Sequence, residues 1–302
     1  MKQLLILFIY VNYLFAVNIG TLNIYKENSL ISLSDDIQTI LNKYDINLDA
    51  QENNNSIESI QNIINNQDKN YFAIVNKDAI SRYNEQQKQN KTIYSKIPVI
   101  LSLDTLQIHL FTNSENDFDF DIKKDYNVYC GEENSNSCTS AKFIEKMYNL
   151  NFNFISSNIN TIEDDLNSNK IDIYISVKKA PASEFENFKN IKLIDLPTNF
   201  KMEDMYQNTQ LSSSTYSFLD EDIHIYSVKR AIITNLKEKK YHGVINNIIK
   251  ILVLNKKYLI KKNPIWKDVD FNYTEYNKFL KSAKRTLLIL EELKKREDAL
   301  RF

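Results

Sequence analysis

The chain has 302 residues, enough for two domains or one large one, and its apolar share of 43% is that of a globular protein rather than a disordered or fibrous one. With 38 Lys and Arg against 39 Asp and Glu, the net charge of -1 excludes the basic surplus that a broad nucleic-acid interface needs.

The chain opens with one lysine and the apolar run LLILFIYVNYLFA at residues 4–16. That run is too short to cross a bilayer comfortably and reads as a secretory signal cut after Ala16, with a buried first strand or an uncleaved anchor as the alternatives. No cysteine follows Ala16, which argues against a lipid anchor there. The expectation is a soluble, exported, periplasmic mature chain.

Residues 17–28 alternate as a strand, and residues 32–44 carry a helical pattern with Ser32 or Ser34 as cap and Asp35 and Asp36 in the first turn. A second strand, INLDAQE, precedes a helix over residues 56–67 with Ser56 or Ser59 as cap. KNYFAIVN is a compact apolar strand, and DAISRYNEQQ begins a third helix. Residues 85–92 read as a solvated spacer, and residues 97–112 as a long strand pair that crosses between two lobes.

The pattern then restarts. DYNVYC, NFNFISS, IDIYISV and IKLIDLP read as strands, separated by helices over SCTSAKFIEKMYNL, TIEDDLNSNK and PASEFENFKN. Residues 222–235 return as a strand to the first lobe, and the rest is mainly helical, including residues 242–259 and 273–301. Two runs of alternating strands and helices predict two lobes, each a mostly parallel sheet with helices on both faces. The expected division is a signal at residues 1–16, lobe 1 at 17–105 and 223–268, lobe 2 at 106–222, and a C-terminal helical extension at 269–302. The extension carries an apolar stripe suited to packing on its own body or on a partner.

Cys130 and Cys138 are the only cysteines. In an exported chain they are expected to form a disulfide around residues 131–137. They lack close CxxC spacing and His109, His224 and His242 are scattered, so no metal site is expected. His109 reads as structural or exposed. No GxSxG elbow, P-loop, dinucleotide fingerprint or HExxH motif occurs, and no catalytic residue or cofactor is assigned. The adjacent pair Glu132–Glu133 is poor ground for acid and base roles.

Ligands of parallel α/β lobes gather beyond the carboxyl ends of strands. Four segments fall there: residues 25–29, 76–78, 131–139 and 177–181. Each abuts a helix start, where free N–H groups favour an anion. Asp104, Tyr94 and Tyr226 lie near the crossing strands; both tyrosines read as packing.

The run from SLSDDIQTILNKYDINLDAQ to YFAIVNKDAI, with VYCGEENSNSCTSAKFIEKMYNL and IEDDLNSNKIDIYISVKKAPASEFENF, resembles the type II periplasmic solute-binding proteins. Within them it is similar to the TAXI-type receptors of TRAP transporters, over residues 19–268. The resemblance implies a two-lobed binding protein that holds a small organic acid or amino acid and hands it to a membrane permease. It places Tyr25, Lys26, Asn28 and Ser29 in the first cradle, Asn76 after the third strand and Asp104 after the crossing strand. Ser135, Ser137, Thr139 and Ser140 form the second cradle, with Val177 and Lys178 on the opposing edge. The turn after the first strand, IYKENSLIS, lacks the usual glycines, and the second cradle keeps only Gly131. Glycine's absence removes the closest backbone approach to a ligand. The resulting expectation is a non-enzymatic receptor for a polar, anionic solute, with a TRAP permease as partner. A sensor partner or a protein-interaction module without transport is the alternative.

Overall fold

The computed structural model describes residues 17–66, 71–89, 97, 99–116, 118–236 and 242–271. The first half alternates β1 (Val17–Tyr25), α1 (Asn28–Asn42), β2 (Ile46–Asn53), α2 (Ser56–Asn65), β3 (Tyr71–Asn76) and α3 (Lys77–Gln89). A long strand, β4 (Val99–Asn113), leads to β5 (Asp125–Tyr129), α4 (Asn136–Tyr148), β6 (Asn151–Phe154), α5 (Ile162–Asn167), β7 (Ile173–Lys178) and β8 (Ile191–Leu193). Then come α6 (Phe200–Glu203), β9 (Gln207–Leu211), the return strand β10 (Ile223–Thr234), α7 (His242–Leu254) and α8 (Lys256–Lys262).

The ten strands of the described residues join one sheet in the order β2-β1-β3-β10-β4-β7-β5-β6, with β8 against β4 and β9 against β10. β1 pairs in parallel with β2 and β3 at one end, and β5 with β6 and β7 at the other. Between these parallel sets, β10 and β4 run antiparallel to each other and to their outer neighbours. Each parallel set therefore has the same design, first strand in the middle and third strand next to the crossing pair.

The cores divide along the crossing strands. Leu101 and Leu103 of β4 and Ile232 of β10 pack with α1, α7 and α8, while Ile233 joins α2 and α3 on the other face. Leu106, Ile108 and Val228 pack with α4 and Met202, and Phe111, Ile223 and Ile225 with α5 and Phe185. The change of allegiance falls between Leu103 and Leu106 and between Val228 and Ile232. The ladder shifts register there, so that Arg230 alone stands opposite Leu103 and Asp104. Such a bulge bends and twists a strand locally, which suits the passage from one lobe to the other.

Several predicted boundaries move. Helix α1 begins at Asn28, one turn ahead of the serines read as caps, because the Glu27 carbonyl accepts the Leu30 and Ile31 N–H groups. Its apolar stripe, Leu30, Leu33, Ile37, Ile40 and Leu41, is buried throughout. Asn55, not a serine, caps α2 by accepting the Glu58 N–H at 2.9 Å. The spacer read at residues 85–92 is helical as far as Gln89, and the strand pair is one strand of 15 residues. PASEFENFKN holds only a short 3-10 turn, Ser183–Phe185. The polar strand β9 (QNTQL) carries no apolar alternation and was not expected. His109 is buried against Phe111 and Phe185, with its Nε2 2.9 Å from the Tyr216 hydroxyl. The signal, Tyr94 and residues 272–302 of the extension lie outside the described residues.

One buried anchor ties the end of α8 and the segment after it to α1. Asp36, on α1, accepts the Trp266 Nε1–H at 2.8 Å and the Asn263 Nδ2–H at 3.1 Å, and pairs with Lys262 at 2.8 Å. Removing the carboxylate strands a buried indole N–H. Asp36→Ala is expected to lower stability by about 2–4 kcal/mol, read from the midpoint of urea unfolding. A midpoint unchanged from wild type would show that this anchor carries no weight.

Candidate functional site

The rims of the two lobes face each other across the crossing strands. On the first rim, β1 ends at Tyr25, which is only 3% exposed. Its hydroxyl donates to Asn76 Oδ1, at the end of β3, at 2.9 Å. The Asn76 backbone N–H donates to Ser56 Oγ at the start of α2 at 3.1 Å. Asn53 links Asn23 and Ser59 through its Nδ2, so two polar clusters tie the carboxyl ends of β1, β2 and β3 to α2.

Arg230 lies beneath these clusters, fully buried. Its Nε and Nη2 donate to the two oxygens of buried Asp104 at 2.8 and 2.6 Å. Its Nη1 donates to Glu27 Oε1 at 3.3 Å and to Ser29 Oγ at 3.0 Å, and Ser29 in turn donates to Glu27. Burial alone lowers the pKa of the guanidinium, but Tyr25, Asp104 and Glu27 outweigh it and hold the charge firmly. Burial, then Glu27, pushes the Tyr25 phenol well above its usual range. A forked guanidinium–carboxylate pair is among the strongest polar contacts available. Here it is spent inside the protein.

The second rim is built around the start of α4. Gly131 has φ +89, a conformation that suits glycine, and it turns the chain after β5. Ser135 caps α4, accepting the Cys138 N–H at 3.1 Å and donating to the Cys130 carbonyl at 3.0 Å. The Cys130–Cys138 disulfide closes this turn, as expected, with its Cα atoms 4.8 Å apart. Ser137 Oγ accepts the Val177 N–H at 3.0 Å, joining α4 to the end of β7. Thr139 and Ser140 are buried.

Direct bonds cross from rim to rim. Asp78, in the first turn of α3, accepts the Ser140 hydroxyl at 2.6 Å and the Tyr206 hydroxyl at 3.0 Å. The Ser56 N–H donates to Asn136 Oδ1 at 3.3 Å. Farther out, Glu85 of α3 pairs with Lys146 of α4 at 2.7 Å. Asp78 is completely buried, and that burial raises its pKa to about 6 against the opposing pull of Ser140 and Tyr206.

The expected cradle residues thus fall into two groups. Tyr25, Ser29, Asn76 and Asp104 meet around Arg230, and Ser135, Ser137, Thr139, Ser140 and Val177 gather on the opposite rim. Lys26 and Asn28 are exposed, and Lys178 pairs with Glu184 at 3.0 Å. Arg230, Asp78 and Tyr206 were not singled out from sequence. Asp104 did leave a signal, as the one Asp, Glu, Lys or Arg side chain of β4, and Arg230 follows Lys229 just before the apolar residues 231–233 of β10. Asp78 and Tyr206, 128 positions apart, left none. Among the described residues, no group of three or more His, Cys, Asp or Glu is placed to hold a metal ion, and no helix is long and apolar enough to cross a membrane.

No family model matches the chain and no curated protein is similar to it in sequence. Among solved structures, the periplasmic binding protein BugD superposes with a TM-score of 0.50 at 10% identity, over 92% of this chain and 97% of that one. A TctC solute-binding protein from Polaromonas gives 0.46 at 12% identity, over 82% and 86% of the two chains. A putative L-cystine ABC transporter protein from Listeria monocytogenes gives 0.45 at 13%, over 85% and 99%. The likeness to BugD is one of fold. Together with the strand order it shows a two-lobed α/β architecture of the periplasmic-binding-protein kind.

Two substitutions probe the site's framework. Asp104→Ala leaves Arg230 buried without its main counter-ion and is expected to cost about 3–5 kcal/mol, read by chemical denaturation. Replacing Arg230 and Asp104 together by Met and Leu should cost clearly less than the two single changes summed; simple additivity would deny the coupling. Reduction of the disulfide releases a loop of eight residues' separation. It should cost about 2–3 kcal/mol by chain entropy, and a stability unchanged by reductant would contradict that contribution.

Proposed function

We propose that the protein is an exported solute-binding protein that closes two lobes around a small polar solute and presents the closed form to a membrane partner. The observation that supports this best is the bonding across the gap. Buried Asp78 on one rim takes hydroxyl donors from Ser140 and Tyr206 on the other. Helix starts that follow strands of the two lobes therefore meet face to face, the contact that hinge closure requires.

The charge at the rims bears on the solute. The resemblance to TAXI-type receptors implies an organic acid and a TRAP-type permease. Yet Arg230 is engaged by Asp104, Glu27 and Ser29. The helix starts that would greet an anion are met by Asn55, Ser135 and Asn136. Asp104 and Glu27 outweigh the charge of buried Arg230, which offers no free cation to a solute. These features favour a neutral or cationic polar solute over an anion. Asn76 keeps a buried Nδ2 donor without an acceptor, which suits a carbonyl or hydroxyl oxygen of such a solute. The membrane partner in this reading is a permease or a sensor that reads lobe closure.

The burial of Tyr25 and the saturation of Arg230 favour a second reading, in which the protein's own side chains fill the gap and the fold serves as a protein-interaction module.

A thermal-shift panel separates the two. Amino acids, dicarboxylates, polyamines, sugars and short peptides are screened against the full chain. A ligand at a hundredfold excess over its Kd stabilises by about 2.7 kcal/mol, a clear upward shift in Tm. We expect neutral or cationic compounds to shift it and Asn76→Ala to weaken the response. Stabilisation by dicarboxylates alone would overturn the charge assignment, and a flat panel would favour the second reading.

A further inference from the structure

Resting on the capture reading above, we propose that closing the cleft takes up a proton at Asp78, so that acid conditions favour the closed form.

Asp78 sits in the first turn of α3 on the first lobe. Two of its three bonded partners, Ser140 and Tyr206, come from the second lobe; the third is the adjacent Ala79 N–H at 2.8 Å. Opening the cleft must break both cross-gap bonds and give the carboxylate to water. Closing it removes the carboxylate from water completely. Its cross-gap partners are hydroxyls, which can donate to a carboxylate or accept from a carboxylic acid. Protonation therefore keeps the bonds and removes the cost of a buried charge.

The surrounding charges do not take over that role. Tyr206 is held well above its usual range, by burial and then by Asp78, and keeps its proton. On α3, Glu85 pairs with Lys146 of α4 and approaches Arg82 at 4.0 Å. Lys142 of α4 pairs with Glu133 at 3.3 Å. Lys77, beside Asp78, makes interactions of its own. Burial is the main cause that raises Asp78 to about 6. His109, lowered to about 4 by burial, packs wholly among residues of the second lobe and does not bridge the gap.

Linkage fixes the direction of the effect. Asp78 binds its proton more tightly when closed, at about 6, than at the ordinary 3.8 expected for the open, hydrated carboxyl. Closure is then favoured below the ordinary value and loses that advantage as pH rises through about 6. Between pH 7.5 and 5 the closed-to-open ratio should rise about tenfold.

The test is Förster transfer between dyes carried on non-natural residues at exposed Gln51 of β2 and Glu186 of the second lobe, which leaves the disulfide untouched. With no solute present, the closed-to-open ratio of the wild type should rise about tenfold from pH 7.5 to 5. Asp78→Asn keeps a group that bonds to hydroxyls but does not titrate, and its ratio should be flat over that range. Tyr206→Phe, which keeps the ring, should lower the ratio at every pH. A flat wild-type ratio, or an equal slope in Asp78→Asn, overturns the proposal even if the panel finds a solute. A pH slope that Asp78→Asn abolishes sustains it even if the panel is flat, and then only the capture reading fails.

Discussion

The structure turns on a guanidinium placed where the sheet passes from one lobe to the other. Arg230 stands alone opposite two residues of β4, at the bulge where the cores change hands. It is completely buried and so is Asp104. Burying two charges is costly, and the cost is offset only when geometry and extra hydrogen bonds are good. Here both carboxylate oxygens are engaged, and Glu27 and Ser29 take the remaining arm. The pair therefore joins the two crossing strands to the turn between β1 and α1. Such a pair is better understood as a device of specificity than as a store of stability: a shift of β10 along β4 would leave two charges buried and unpaired.

The functional consequence is a division of labour. The pivot is held by charge and by the β-ladder, whereas the rims are joined by a few separate hydrogen bonds and one exposed ion pair. Asp78 with Ser140 and Tyr206, and Ser56 with Asn136, are contacts that water can replace. The proposed opening and closing would rest on this contrast, with a strong joint and separable lips. Spending Arg230 on the joint also has a chemical effect. The cation that would attract an anion is neutralised, and Asp78 adds a carboxyl where the lips meet.

Much of the architecture was legible in the sequence because it rests on local signals. Two alternating runs of strands and helices, Ile74 and Val75 in one and Ile173 and Ile175 in the other, announce two parallel sets of similar design, but not that antiparallel β10 and β4 join them into one sheet. Cys130 and Cys138 are close in sequence, so their bond needed only the right compartment. Boundaries moved where backbone groups did the work of side chains, as at Glu27, or where polarity hid an edge, as in β9. The site was half legible. Tyr25, Ser29, Asn76 and the serines of α4 lie at strand ends and helix starts, which topology singles out. Their engagement with one another is a matter of long-range register. Arg230 meets Asp104 across 126 positions, and Asp78 meets Tyr206 across 128, through contacts that no local pattern encodes.

The central claim, a firm pivot beneath a gap that opens, is tested most directly by residue-resolved native-state hydrogen exchange. The Ser56 N–H has its acceptor on the far side of the gap, in Asn136, so it is freed by opening alone. Ile74 and Ile232 lie in register in the ladder beside the pivot. A firm pivot predicts that Ser56 exchanges through a sub-global opening, well below the free energy of unfolding, while Ile74 and Ile232 exchange only with global unfolding. Equal protection at all three sites, or faster exchange at Ile74 and Ile232 than at Ser56, would contradict it.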